Sequence, residues 1–164
     1  MPRLPQRVAG RLALCVSLLI LAGCRGADGP RPLVLGEDSC DYCRMSIADT
    51  RYGGEVETRS GKILTFDAVE CLVGYLAAAR TNAGLRGVWV ADYDGGGMIP
   101  AASALFLRGG SLHSPMGRQL TSFAPTVTTD VLTARYGGEA LTWNAVLALA
   151  PTPPSGATPE PSTR

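Results

Sequence analysis

One histidine, His113, and one lysine, Lys62, are all that this 164-residue chain holds of those two types. A multi-histidine zinc centre or a histidine relay cannot be built from one imidazole, and lysine-based catalysis is poorly provided for. Neither sign of charge is in excess: 15 basic residues face 14 acidic ones, a formal net charge of +1. The chain therefore lacks the strongly basic face on which nucleic-acid binding depends. No Gly-x-Ser-x-Gly element is present, so a hydrolase triad has little to start from. Nor does any apolar run reach the ~20 residues that a membrane-spanning helix needs. What is plentiful is glycine (20) and proline (12), the residues of turns, within a chain that is 46% apolar and so able to form a core.

The amino-terminal region reads as an export signal. Arg3, Arg7 and Arg11 precede the short apolar run Leu12–Leu21, and the run ends in Leu21-Ala22-Gly23-Cys24. These four residues, in that context, resemble the lipobox of bacterial lipoproteins. The resemblance implies a signal peptide over 1–23, lipidation at Cys24, and a tether over 24–36. Removing the leader leaves 12 basic and 14 acidic residues, net −2, with no polybasic patch for anionic lipid. Membrane attachment then rests on acyl chains. Residue 25 is Arg rather than the Asp of inner-membrane retention, which points to the outer membrane, facing the periplasm, in a two-membrane envelope. At the other end Pro151, Pro153, Pro154, Pro159 and Pro161 mark 150–164 as a disordered tail.

The folded part is thus expected over 37–149, as an α+β domain. Glu55–Thr58 and Lys62–Phe66 form a hairpin around Arg59-Ser60-Gly61. Asp67 and Glu70 have capping-box spacing, and Val69, Leu72, Val73 and Leu76 make a helical stripe that ends near Asn82 and Gly84. Gly87–Tyr93 reads as a strand before the turn Asp94–Gly97. Leu105–Arg108 is a further strand, 128–136 a second helix, and Glu139–Thr142 a last strand. Gly61–Val69 also aligns without a gap to Gly138–Val146, and Arg-Tyr-Gly-Gly-Glu occurs at both 51–55 and 135–139. Two echoes are too few for a solenoid. They suggest two small related units, about 37–86 and 87–149.

The chemistry is on sulfur. With Cys15 and Cys24 set aside, Cys40, Cys43 and Cys71 remain, an odd number that cannot all pair within the chain. Cys40-Asp41-Tyr42-Cys43-Arg44-Met45 packs two thiols and a thioether into six residues. Met116, in Ser114-Pro115-Met116-Gly117, adds a thioether on a loop. Soft thiolate and thioether donors together select Cu(I) over hard cations. Zinc would take four strong ligands, for which Cys40, Cys43, Cys71 and His113 would just suffice. As the plainer alternative, both methionines are core fillers. A thioredoxin-like Cys-x-x-Cys oxidoreductase and a metal-free structural lipoprotein are the other readings, but residues 33–39 make a poor strand and 44–54 no helix to activate the pair.

The lipobox, Asp38–Ile47, Phe66-Asp67 with Cys71, Trp89–Asp92 and Ser114–Gly117 together resemble the NosL-type copper-chaperone lipoproteins of nitrous oxide reductase assembly. That resemblance implies two related β-β-α-like units, no enzymatic activity of its own, and Cu(I) delivery. The recipient would be apo nitrous oxide reductase or its membrane assembly and transport complex. It implies Cys43 as the thiolate ligand, Met45 and Met116 as thioether ligands, and Cys40 as a further ligand or resolving thiol. His113 stands as a possible fourth donor, and Cys71, in the first turn of the helix, is either near the site or a semi-buried bystander. Two departures stand out: Arg44 occupies the place of the family's usual glycine, and Met98 that of a common aromatic.

Overall fold

A computed structural model describes residues 29–79 and 84–150. The expected signal peptide, Cys24, Asn82 and nearly all of the proline-rich tail lie outside these residues. Two antiparallel sheets carry the fold. The first has the order β2-β1-β3-β4, from strands β1 (Gly54–Thr58), β2 (Ile63–Phe66), β3 (Leu85–Ala91) and β4 (Met98–Pro100). The second has the order β6-β5-β7, from β5 (Leu105–Arg108), β6 (Leu120–Phe123) and β7 (Glu139–Leu141). Helix α1 (Val69–Ala78) follows β2, α2 (Thr129–Tyr136) follows β6, and α3 (Trp143–Ala148) closes the described chain. The protein is α+β as its sequence suggests. In each half a hairpin, a helix and a returning strand place the first strand at the centre, β1 in one and β5 in the other. The sheets change over between Pro100 and Leu105, beyond the division at 86/87 suggested above.

The two halves share this topology, but the sequence echoes do not mark it. Gly61–Val69 covers the β2-to-α1 junction, whereas Gly138–Val146 covers β7-to-α3, and by topology β2 corresponds to β6. The alignment instead reflects what any tight turn leading through a strand into a helix requires. Gly61 and Gly138 both sit in the left-handed region, at φ +82° and +84°, where a Cβ is disfavoured. The pentapeptide repeat is likewise put to two uses. A Cβ at Gly53 would lie 2.7 Å from the Phe66 carbonyl oxygen, whereas Gly137 is needed for its φ of +73° at the end of α2.

Helix α1 is the hub of the core. Its stripe Val69, Leu72, Val73 and Leu76 is buried with Val56, Leu64, Phe66 and Val90 of the first sheet. The same cluster takes in Phe106 and Leu120 of the second sheet and Val146 of α3. The helix is consequently covered on more than the one face that its stripe predicts, and Glu70, Cys71 and Gly74 are buried too. Strand β5 is buried on both faces: Phe106 joins this core, while Leu107 turns to a second cluster with Leu112, Phe123 and Leu132. Residues 29–36, expected as tether, lie on the fold. Leu33 is buried, the Arg31 guanidinium pairs with Asp38 at 2.6 Å, and the Arg31 amide donates to the buried Glu55 carboxylate at 3.3 Å.

The aligned glycines should respond differently to substitution. A Cβ at Gly61 meets nothing within 4 Å, so Gly61→Ala carries only the left-handed penalty, about 1 kcal/mol. At Gly138 a Cβ would stand 2.6 Å from the Arg108 carbonyl oxygen. Gly138→Ala should therefore lose clearly more stability than Gly61→Ala in denaturant titration; equal losses would contradict the packing at β5 and β7.

Candidate metal centre

The loop that carries Cys40 and Cys43 is stapled to the outer edge of the first sheet. The amide of Cys40 donates to the Met45 carbonyl (2.8 Å), the amide of Arg44 to the Cys40 carbonyl (2.9 Å), and Ser39 bridges Ser46. Edge strand β2 accepts this loop through Thr65. Its carbonyl takes the Asp41 amide (2.8 Å), its amide donates to the Asp41 carboxylate (3.0 Å), and its hydroxyl donates to the Ser39 carbonyl (2.9 Å). The tight reversal requires a left-handed residue, and Arg44 has a φ of +67°. The departure from glycine noted in the sequence thus falls on the one position of the loop that favours glycine. Its guanidinium lies 3.9 Å from the Asp41 carboxylate.

The two carboxylates with capping-box spacing do not cap α1. The residue before the helix is Ala68, and it makes no side-chain cap bond. Asp67 instead accepts the Ala48 amide at 2.7 Å, drawing in the far end of the cysteine loop. Glu70 accepts the Ser114 hydroxyl and the Leu120 amide, drawing in the loop that carries Met116. Both sulfur-bearing loops are therefore fastened at the start of α1, one to Asp67 just before it and one to Glu70 in its first turn. Cys71 belongs to that turn, and the ring of Tyr42 lies so close over Gly74 that a Cβ there would come within 2.6 Å of it.

The sulfurs of Cys40, Cys43 and Cys71 converge, each within 4.8 Å of the other two. All three are free thiols; Cys40 and Cys71 are buried and Cys43 is half-buried. Of the two readings of Cys71, the one near the site holds, and it is not a bystander. A stripe analysis assigns one buried face to a helix, but α1 is also covered on the face where Cys71 lies. Its place in the first turn of the helix after β2, the edge strand holding the Cys-x-x-Cys loop, was the signal that could have located it. The site shifts the anionic role as well. The Cys40 thiol is drawn down to about 5, first by a hydrogen bond from Cys71 and then by the backbone amides of Asp67, Cys43 and Tyr42, against the cost of burial. The Cys71 thiol is pushed up because it is the donor in that bond, and the Cys43 thiol is pushed up mainly by desolvation. In the metal-free cluster these hydrogen bonds favour the anionic charge on Cys40.

Met45 and Met116 are 58% and 37% exposed. Neither is a core filler, so both thioethers are available on the surface. His113 is exposed, and its Nδ1 lies 3.0 Å from the Ser111 carbonyl oxygen of its own loop. Among the described residues the convergent group holds the three cysteines and no histidine, so the four-ligand set zinc would need is not assembled.

Fold and site together define a small α+β protein with a three-thiol pocket suited to a soft metal ion. The NosL family model matches residues 33–148, and the chain belongs to the NosL family. Among solved structures it is similar to the crystal structure of the copper chaperone NosL from Shewanella denitrificans. The TM-score is 0.57 at 22% identity, covering 70% of this chain and 96% of that one. No curated protein matches.

Two measurements test this description. Arg44→Gly should leave the melting temperature of the reduced apoprotein unchanged or raised, while Arg44→Val should lower it, because a β-branched residue is a poor occupant of left-handed backbone. The second is pH dependence. Between about pH 5 and 9 the native protein holds one thiolate that the unfolded chain keeps protonated, so unfolding takes up a proton and stability rises with pH. Above about pH 9 the unfolded thiols ionise while Cys71 stays protonated, and stability falls again. Ultraviolet thiolate absorbance at neutral pH should report one ionised sulfur per chain, and Cys40→Ser should abolish it.

Proposed function

We propose that this protein binds Cu(I) as cargo in the three-cysteine pocket and delivers it to an apo-metalloenzyme, the copper centre of nitrous oxide reductase or the membrane complex that assembles it. The observation that carries the reading is the convergence of three sulfurs with no imidazole or carboxylate in the group. Soft sulfur donors favour Cu(I) over hard cations, and among the described residues the group lacks the fourth strong ligand that zinc takes. The ion takes up to four of the available sulfurs, with the Met116 and Met45 thioethers as its weaker, exchangeable donors. The half-buried Cys43 leaves one side of the ion open to an incoming ligand. Membership of the NosL family and a fold shared with a copper chaperone agree with this reading. The lipobox supports anchoring through Cys24, with the domain held at the outer membrane and facing the periplasm; Cys24→Ala should then release the protein or leave its leader uncleaved.

Competition titration against a Cu(I) chelator tests the site. Wild type should bind one ion per chain. Cys40→Ser should nearly abolish binding, and Cys43→Ser and Cys71→Ser should weaken it strongly. Met45→Leu and Met116→Leu keep shape and apolarity but lose the sulfur, so each should weaken binding by ~1–3 kcal/mol, roughly 10- to 100-fold. His113→Ala is the control and should be silent. Cysteine variants that retain wild-type affinity would overturn the assignment.

A further inference from the structure

We infer that Glu70 is a positioning residue for the Met116 thioether, acting through Ser114 to fix the distance between the methionine loop and the thiol pocket. The inference rests on the Cu(I) reading above and names a part of the same site that its ligand chemistry does not reach. Glu70 precedes Cys71 in α1, and its side chain is buried. One carboxylate oxygen, Oε1, takes both the Ser114 hydroxyl and the Leu120 amide (3.2 Å), gripping the loop at each end of the arc that contains Met116. The Ser114 Oγ in turn accepts the Gln119 amide (3.0 Å), and the Ser114 carbonyl accepts the Gly117 amide (3.1 Å), closing the turn around Pro115 and Met116. The other oxygen, Oε2, is buried without a hydrogen-bond partner among the described residues.

A buried carboxylate with one idle oxygen is a costly way to hold a loop to a helix, since apolar packing would do so without desolvating a polar group. What apolar packing would not supply is direction. Two donors converging on one oxygen fix where the turn sits and which way it faces. Cys71 is the next residue along the helix, so a displacement of the turn relative to Glu70 is a displacement of Met116 relative to the sulfurs.

A double-mutant cycle separates this role from simple cohesion. Purified, reduced full-length protein is titrated with Cu(I) against a chelator, and sulfur coordination is counted by X-ray absorption. Ser114→Ala and Glu70→Leu should each weaken Cu(I) binding about as much as Met116→Leu, roughly 10- to 100-fold, and each should remove one sulfur from the first coordination sphere. Neither should weaken binding further when Met116 is already Leu. Glu70→Gln keeps an acceptor oxygen and should restore most of the affinity. Ser114→Ala, the milder change, keeps the cycle usable if Glu70→Leu fails to fold. Additive losses in the Met116→Leu background, an unchanged sulfur count, or a silent Met116→Leu would each overturn the positioning role. In those cases cysteine variants that still lose Cu(I) would leave the proposed function standing. Cysteine variants that bind normally would remove both.

Discussion

The amino end of α1 is where the structure is tied together. A helix start exposes amide groups that a side chain normally caps, and here Ala68 stands at the capping position and offers none. The polar groups around that turn are used outward instead. Asp67 holds the cysteine loop, its own amide supports the Cys40 thiolate, Glu70 holds the methionine loop, and Cys71 completes the pocket. The positive end of the helix dipole favours an anion at the same place. Loops contributed by the two halves of the chain therefore meet at the start of one helix, which packs against both sheets.

Much of this was legible in the sequence, and the parts that were not share a cause. The hairpin, α1, the strands near 87–93 and 105–108, and the helix over 129–136 followed from local periodicity and turn residues. Strand β6 was missed because Leu120-Thr121-Ser122-Phe123 is short and buried on both faces, so it shows no alternation. Short β4 and α3 likewise offer too few residues for a period to show. Asp67 and Glu70 carried a real capping-box spacing, yet local spacing cannot reveal that long-range donors, the Ala48 amide and the Ser114 hydroxyl, take the carboxylates. The soft-donor chemistry was visible in Cys40, Cys43 and Met45. The convergence of Cys71 with them depends on how β2 and α1 pack.

The electrostatics of the pocket qualify the simplest sequence argument about which sulfur matters most. A thiolate next to a cation is stabilised, and that reasoning favours Cys43, beside Arg44. In the fold Arg44 is directed to Asp41, while the Cys43 amide donates to the Cys40 sulfur at 3.5 Å and the Cys71 thiol draws the Cys40 thiol down most. The largest contribution thus comes from the Cys71 thiol, on the helix, with backbone amides of the loop and of the helix start adding to it.

Holding a metal and releasing it make opposite demands, and the burial of the sulfurs divides the work. Cys40 and Cys71 are each about 1% exposed, Cys43 is half-buried, and Met45 and Met116 stand at the surface. Exposure thus rises from the strongest donor to the weakest. An ion seated in such a gradient leaves by exchanging its outer, weaker bonds first, and each exchange replaces one soft ligand by another without passing through a bare ion. Three thiols buried alike would hold an ion as tightly but give a partner no bond to replace. A single exposed pair would exchange readily but would leave the thiolate open to oxidation. The odd cysteine count, first a puzzle of pairing, has a structural counterpart here: the third thiol, Cys71, is buried beside Cys40 and draws its pKa down.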